Sequence, residues 1–298
     1  MSEIDQEIAD QPRCWRIAAA DAVRAGHHLP APGTRVAAIG CGTSYYVAQA
    51  CATLREQAGQ GETDAFPASE MPLGREYEGV VLITRSGTTT EILDLIPRLP
   101  AVSRVIAITA APQAPVVDMA REAITLEFAD EASIVQTRFA TSVLALLRAH
   151  LGQDVEALAT QAERALTAQL PFDPARFRQF VFLGRGAGAA LASEAALKMR
   201  ETGAAWSEAY PAMEFRHGPI STVGPHSAVW SLGPAPDGLS SEVRSTGATW
   251  AESDEDPMVA LLLAQRLAVA NARGQGLDPG HPRFLTRSVI LPEGSSVR

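Results

Sequence analysis

The chain has 298 residues, a hydrophobic fraction of 46% and a net charge of −9. Because binding along a nucleic-acid backbone needs a continuous basic face, this acidic balance argues against nucleic acid as a partner. No run approaches the roughly 18 apolar residues of a membrane span, and the acidic N-terminus lacks the features of a secretory signal, so we expect a cytoplasmic protein without membrane segments. The three cysteines form no C-x-x-C pair, which argues against a disulfide framework or a zinc site.

In the first half of the chain, short apolar strands alternate with helices. A helix is predicted at about 12–26, and the predicted strands lie at 35–40, 79–84, 104–110 and 123–128. A long helix is predicted from Ser133 to Gly152. Continuous apolar strands that alternate with helices are typical of a parallel sheet covered on both faces.

After about residue 170 the pattern restarts with a strand, a glycine turn and a helix, followed by a strand near 227–233, a helix near 238–246, a segment at 247–253, a long helix at 257–274 and an irregular tail. Gly184 and Gly186 follow Gly40 and Gly42 by the same 144 positions. This spacing favours an internal duplication of one α/β unit, although any two turns of the strand–G-x-G–helix type look alike. We predict two domains, 1–165 with the N-terminal helix and 166–298 with the tail.

The segment "TRSGTTTE", Thr84 to Glu91, lies between a strand and a helix start. Its hydroxyl residues are Ser86, Thr88, Thr89 and Thr90. Together with Gly87, which permits close backbone approach, they could converge on a phosphate monoester. Plain N-capping needs only one hydroxyl. The segment is neither a P-loop nor a G-x-S-x-G elbow.

NAD binding is a weaker alternative for the glycine turns at 40–45 and 184–189. That fingerprint needs an acidic residue at the end of the next strand, about 20 residues on. After Gly184 the next strand is predicted only near residue 227, and Tyr45 occupies a position that favours a small residue.

The segment "SEAALKMRE" contains Lys198, the only lysine beside 24 arginines. A helix places Glu194, Lys198 and Glu201 on one face. An exposed i,i+4 pair is the simpler interpretation, but arginine would serve equally well in such a pair, whereas lysine alone offers a compact ammonium that can lose its proton.

A loop rich in ionisable residues, "EAYPAMEFRHGP", is predicted at 208–219. A single loop histidine is usually only solvated. His217, however, lies within 20 residues of the helix that carries the carboxylates, and this favours an acid–base role.

Together, "CGTSY", "RSGTTTE", "ALKMRE" and "EAYPAMEFRHGP" resemble the sugar isomerase (SIS) domain family. This family includes the isomerase half of glutamine–fructose-6-phosphate transaminase and stand-alone aminosugar-phosphate isomerases and deaminases. The resemblance covers nearly the whole chain. It implies an α/β fold of two tandem doubly wound, flavodoxin-like SIS subdomains with parallel sheets.

The resemblance also implies roles for individual residues. Glu201 matches the carboxylate that shuttles a proton between C1 and C2, Lys198 the lysine one turn before it, and His217 a ring-opening histidine supplied by the neighbouring subunit of a homodimer. The substrate-binding residues implied are Gly42, Thr43, Ser44, Thr84, Arg85, Ser86, Gly87, Thr88, Thr89, Val135, Gln136, Thr137 and Arg287. No metal or cofactor is implied.

Three departures limit what the resemblance implies. Arg287 aligns with the family's active-site lysine and cannot form an imine, Arg85 replaces the glutamine of the synthase, and no glutaminase domain is expected before residue 1. We therefore expect a phosphosugar isomerase that acts on an aminosugar 6-phosphate or fructosamine 6-phosphate, with deamination, by C1–C2 proton transfer. The alternatives are a non-catalytic phosphosugar sensor and an ammonia-dependent, transaminase-like enzyme.

Overall fold

The computed structural model describes residues 2–292, so residues 1 and 293–298 of the two predicted domains lie outside the described residues. The strands of the first sheet are β1 Val36–Gly40, β2 Thr63–Pro67, β3 Gly79–Ile83, β4 Arg104–Thr109 and β5 Glu122–Thr125. The strands of the second sheet are β6 Gln179–Gly184, β7 Trp206–Pro211, β8 Ser227–Ser231 and β9 Thr249–Glu252. The helices are α1 Glu3–Ala9, α2 Gln11–Ala25, α3 Thr43–Gln57, α4 Thr90–Leu95, α5 Pro115–Met119, α6 Arg138–His150, α7 Val155–Thr167, α8 Ala187–Gly203, α9 Leu239–Ser245 and α10 Pro257–Gly274. No helix within residues 2–292 combines the length and the apolar character of a membrane span.

Both sheets are entirely parallel, and their strand orders correspond. The first has the order β2-β1-β3-β4-β5 and the second the order β7-β6-β8-β9, so the second sheet repeats the arrangement of the first four strands of the first. All residues of β1, β3, β6 and β8 are buried, as expected for strands covered by helices on both faces. The predicted fold class, two doubly wound α/β units with parallel sheets, is confirmed.

The two glycine turns have the same local geometry. Gly42 has φ 56° and ψ −125°, and Gly186 has φ 53° and ψ −130°. A Cβ on Gly40 would lie 2.3 Å from the carbonyl carbon of Ser44, and a Cβ on Gly184 would lie 2.1 Å from the carbonyl oxygen of Gly188. In each unit, therefore, only glycine lets the start of the helix press against the end of the strand, which supports the duplication.

The chain folds into two compact units, neither of which is continuous in sequence. The five-stranded unit comprises residues 13–132 and 138–156 and the C-terminal segment from 286. The four-stranded unit comprises residues 2–12, 133–137 and 157–285. The linear division at 165 and 166 stays a prediction.

Two strands, helix α1 and the start of the long helix differ from the sequence-based expectations. β2 and β7 were not expected, because both are edge strands that combine polar residues with a terminal proline instead of forming an apolar run. The segment 208–219, predicted as a loop, therefore begins as strand, and a strand does follow Gly184 well before residue 227. The long helix begins at Arg138 rather than Ser133, where the Glu131 carboxylate accepts the Arg138 backbone N–H at 2.8 Å.

Candidate active site

The order of the first sheet reverses between β1 and β3, which are adjacent and parallel. In doubly wound folds, ligands bind outside the carboxyl ends of the strands at such a switch point. The turns at 41–44 and 84–89 follow these two strands directly. The topology thus brings the two predicted phosphate-binding segments to the same edge of the five-stranded unit.

The turn after β1 presents a short, tightly held backbone. Thr43 and Ser44 are each 3% exposed, and the Ser44 N–H donates to the carbonyl of Cys41 at 3.1 Å. No hydrogen bond within residues 2–292 engages the Ser44 hydroxyl. That hydroxyl is therefore available to a ligand at the switch point.

The turn after β3 depends on Gly87. This residue has φ +66°, and an added Cβ would lie 2.4 Å from the Cβ of Ala114, so any side chain would be both strained and crowded. The turn is closed internally: the Gly87 N–H donates to Thr84 Oγ1 at 3.2 Å, and the Thr88 N–H donates to Ser86 Oγ at 3.3 Å.

Three hydroxyls of this turn converge on Ser288 of the C-terminal segment. Ser86 Oγ and Thr88 Oγ1 donate to Ser288 Oγ at 3.1 and 3.0 Å, and Thr89 Oγ1 lies 3.4 Å from it. Sequence reasoning missed Ser288. Its position directly after Arg287 was the available signal, but the resemblance assigned a role only to Arg287.

Arg85 and Arg287, two predicted substrate-binding residues, hold the C-terminal segment. The Arg85 guanidinium is buried and forms an ion pair with buried Glu131 at 3.3 Å, and it donates to the backbone carbonyl of Arg287 at 3.3 Å. Arg287 in turn donates to the Glu131 carbonyl and the Asp130 carboxylate. In this structure both guanidinium groups contact protein acceptors.

The segment 135–137 groups with the four-stranded unit. Val135 and Thr137 are each 1% exposed, whereas Gln136 is half-buried. The Gln136 Oε1 atom is buried with no hydrogen-bond partner among residues 2–292. Gln136 therefore keeps a side-chain acceptor that a donor on a ligand could satisfy.

The charged stripe on α8 forms a buried cluster. Lys198 is 1% exposed, and its Nζ lies 3.2 Å from Oε1 of Glu194 and 2.5 Å from Oε2 of Glu201. Burial acts to lower the pKa of Lys198, but the charges of the two carboxylates outweigh it and leave this pKa raised. The simpler interpretation of an exposed pair is wrong. Glu194, which was left out of the predicted site, completes the cluster.

The two carboxylates differ in access to solvent. The Glu194 side chain is fully buried, whereas the Glu201 side chain is 20% exposed. The cluster therefore combines the solvent-accessible carboxylate of Glu201 with the buried ammonium of Lys198, which orients that carboxylate.

Packing against α10 fixes the end of α8. The Thr202 hydroxyl donates to the Lys198 carbonyl at 2.8 Å and to the Ala268 carbonyl at 3.1 Å. A Cβ on Gly203 would lie 2.3 Å from Nδ2 of Asn271 and 3.4 Å from the backbone nitrogen of Ala272, so a side chain at this position would displace the Asn271 side chain. This contact sets the position from which Glu201 extends.

His217 ends a short 3-10 turn, Glu214–His217, and is exposed. The preceding Arg216 anchors the turn through a bidentate ion pair with Glu242 at 2.8 and 3.0 Å. Within residues 2–292, no hydrogen bond or ion pair joins His217 to the Glu194–Lys198–Glu201 cluster. The structure of one chain therefore leaves its imidazole open to solvent or to another molecule.

Comparison with known proteins gives the relationships of the chain. Residues 31–150 match the SIS domain model. Glutamine–fructose-6-phosphate aminotransferase from Zymomonas mobilis is 29% identical over 67% of this chain, and that from Sulfolobus acidocaldarius is 25% identical over 86%. The aligned regions span 38% and 50% of those two proteins, so the chain corresponds to half of such relatives or less.

Solved structures resemble the chain over nearly its whole length. A glucosamine-6-phosphate deaminase from Thermotoga maritima superposes with a TM-score of 0.87 at 26% identity, covering 97% of this chain and all of that one. A tagatose-6-phosphate ketose/aldose isomerase from Escherichia coli shares the fold, with a TM-score of 0.76, 19% identity and coverage of 96% and 97%.

Proposed function

We propose that the chain, whose residues 31–150 match the SIS domain model, is a phosphosugar isomerase that takes an aminosugar 6-phosphate and releases its nitrogen as ammonia. The observation that carries the proposal is the α8 cluster, in which a buried ammonium holds one solvent-accessible carboxylate at 2.5 Å. The similarity to a glucosamine-6-phosphate deaminase, over 97% of this chain and all of that one, supports deamination over simple isomerisation.

In the proposed reaction, one carboxylate moves one proton. Glu201 removes the proton from C2 of the open-chain aminoaldose, the electron pair of the C–H bond forms the C1–C2 double bond, and the former carbonyl pair takes a proton on O1, which gives an enolamine. The same carboxylate, after its proton exchanges with solvent, delivers a proton to C1, and the amino group gives up a proton as its lone pair forms the imine at C2. Water then adds to the imine carbon, and ammonia leaves as the ketose phosphate forms.

The other residues position the substrate. The hydroxyls of the turn at 84–89 and of Ser44 would hold the phosphate, and Gln136 would contact the sugar. Lys198 orients Glu201, and Glu194 forms the second ion pair of the Lys198 ammonium. We propose that His217 moves the ring-oxygen proton in the site of a neighbouring subunit, because it is exposed and lies on an anchored turn.

The direct test supplies the full chain with glucosamine 6-phosphate, fructosamine 6-phosphate and tagatose 6-phosphate. Ammonia release and, in D2O, deuterium incorporation at C1 are measured for each sugar. Ammonia release from glucosamine 6-phosphate with deuterium at C1 is the expected result. Binding without turnover of any sugar would instead identify a sensor.

The proposed base is tested with Glu201→Gln, which keeps the shape of the side chain and removes its basicity. Because general acid–base catalysis contributes about 100-fold to 10,000-fold, turnover should fall by at least about 100-fold with phosphosugar affinity retained. Glu255→Gln, an exposed glutamate of the same unit, is the matched control and should retain full turnover. Full activity of Glu201→Gln would contradict the mechanism.

A further inference from the structure

Ser288 lies at the focus of the hydroxyl cluster of the turn at 84–89. Two hydroxyls donate to its Oγ at 3.0 and 3.1 Å, and a third lies at 3.4 Å. A hydroxyl oxygen has two acceptor lone pairs and one proton of its own to donate. With both acceptor positions used by Ser86 and Thr88, Ser288 keeps its own proton. The 3.4 Å contact with Thr89 Oγ1, in which either hydroxyl could donate, is long for an O–H···O hydrogen bond, so a closer acceptor could take that proton.

The backbone on both sides of Ser288 is fixed to the five-stranded unit. Before it, Arg85 donates to the Arg287 carbonyl at 3.3 Å. After it, the Val289 carbonyl accepts the Thr90 N–H at 3.1 Å, and the Leu291 N–H donates to Thr90 Oγ1 at 2.9 Å. The segment is exposed yet fastened at several points, so Ser288 is held in place rather than resting on the surface.

The buried ion pair explains why the fastening is firm. Arg85 and Glu131 are buried together, and Glu131 also accepts the first backbone N–H of α6 at 2.8 Å. Arg85, which contacts the C-terminal segment, is thus held by Glu131, and Glu131 is held by the first N–H of α6. Moving Ser288 would require breaking hydrogen bonds to charged groups, each worth more than a neutral one.

We infer that Ser288 is a further ligand of the phosphate group, a hydroxyl that the C-terminal segment adds to those of Ser86, Thr88 and Thr89. This inference rests on the proposed function, because it takes that turn as the phosphate site. A phosphate monoester could accept from each of these hydroxyls, since its oxygens accept hydrogen bonds and donate none when the group is ionised. The segment therefore contributes to substrate binding directly.

The test measures the affinity of the full chain for inorganic phosphate and for glucosamine 6-phosphate by calorimetry. Ser288→Ala should weaken both by about 10-fold, the effect of losing one hydrogen bond to a charged group. Ser288→Thr keeps the hydroxyl and should restore most of the affinity, which separates loss of the donor from general disturbance. Ser241→Ala removes an exposed serine on α9 and should bind like the wild type.

Ser86→Ala distinguishes this inference from the proposed site. If Ser86→Ala weakens phosphate binding and Ser288→Ala does not, Ser288 is not a ligand and the inference is overturned. Tighter binding by Ser288→Ala would also overturn it, since it would mean that the serine competes with phosphate. If phosphate binding does not respond to Ser86→Ala, the phosphate site itself is wrong.

Discussion

Replacing Lys198 by methionine would test whether the buried ammonium holds the α8 cluster together. Methionine has a similar length and flexibility but no charge, so the change removes the cation and leaves the packing nearly intact. Two carboxylates, one of them fully buried, would then face each other without a counter-ion. Both the stability of the fold and its dependence on pH should change.

The expected loss of stability is large. Removing one partner of a buried ion pair costs about 3–5 kcal/mol, because the remaining charge stays desolvated. Since single domains are stable by only about 5–15 kcal/mol, the variant should lose a substantial part of its free energy of unfolding. Arg16→Met, which breaks the exposed pair with Glu156, is the control and should cost no more than about 1 kcal/mol.

The pH dependence gives a sharper test of the same cluster. In the wild type the pKa of Lys198 is raised above its ordinary value of 10.5. The contribution of Lys198 to the free energy of unfolding is therefore fully present below pH 10.5, and it is lost only as pH rises through the higher pKa of the folded state. Between pH 5.5 and 8 that contribution is therefore constant. In the variant the two carboxylates lack a counter-ion, and burial and like charge both disfavour their ionised forms, so the free energy of unfolding of the variant should fall as pH rises.

Urea unfolding of wild type and Lys198→Met at pH 5.5 and pH 8 measures both effects. The difference in the free energy of unfolding between wild type and variant should be larger at pH 8 than at pH 5.5, because more of the unpaired carboxylate charge is present at pH 8. A loss below about 1 kcal/mol, or an equal loss at both pH values, would refute the existence of a buried, charge-balanced cluster.

Two further predictions concern the phosphate turn and the assembly. Gly87→Ala places a Cβ 2.4 Å from that of Ala114 at φ +66°, so calorimetry should show at least about 10-fold weaker phosphosugar binding. Gly274→Ala, at a glycine with open space around it, is the control and should bind normally. Unchanged binding by Gly87→Ala would exclude the turn from the site. If His217 acts across a homodimer, co-expressing Glu201→Gln with His217→Ala should restore about a quarter of the wild-type turnover through mixed dimers, whereas a single-chain site would leave the mixture inactive.

The sequence predicted the strands that position the site where those strands are fully buried. β1, β3, β6 and β8 are continuous apolar runs because helices cover both of their faces. The edge strands β2 and β7 carry no such run, because one side of each is open, and they were missed. Local pattern thus identifies the centre of each sheet better than its edges.

The candidate site was predictable where one element carries it. Helical periodicity placed Glu194, Lys198 and Glu201 on one face of α8, and the structure confirms the stripe. It could not show that the stripe is buried, since burial of Lys198 depends on what packs against α8. Likewise Ser288 meets the turn at 84–89 across about 200 positions of sequence, and no local pattern reports a contact of that range.

The burial of Lys198 also affects how the protein can be handled and monitored. It is the chain's only lysine, and it is 1% exposed. Amine-directed reagents such as N-hydroxysuccinimide esters should therefore label the folded chain only at its α-amino group, which allows single-point attachment of a dye or a surface linker. Labelling of Lys198 itself would report unfolding, and proteases that cut after lysine alone would have one cleavage site, protected until α8 opens.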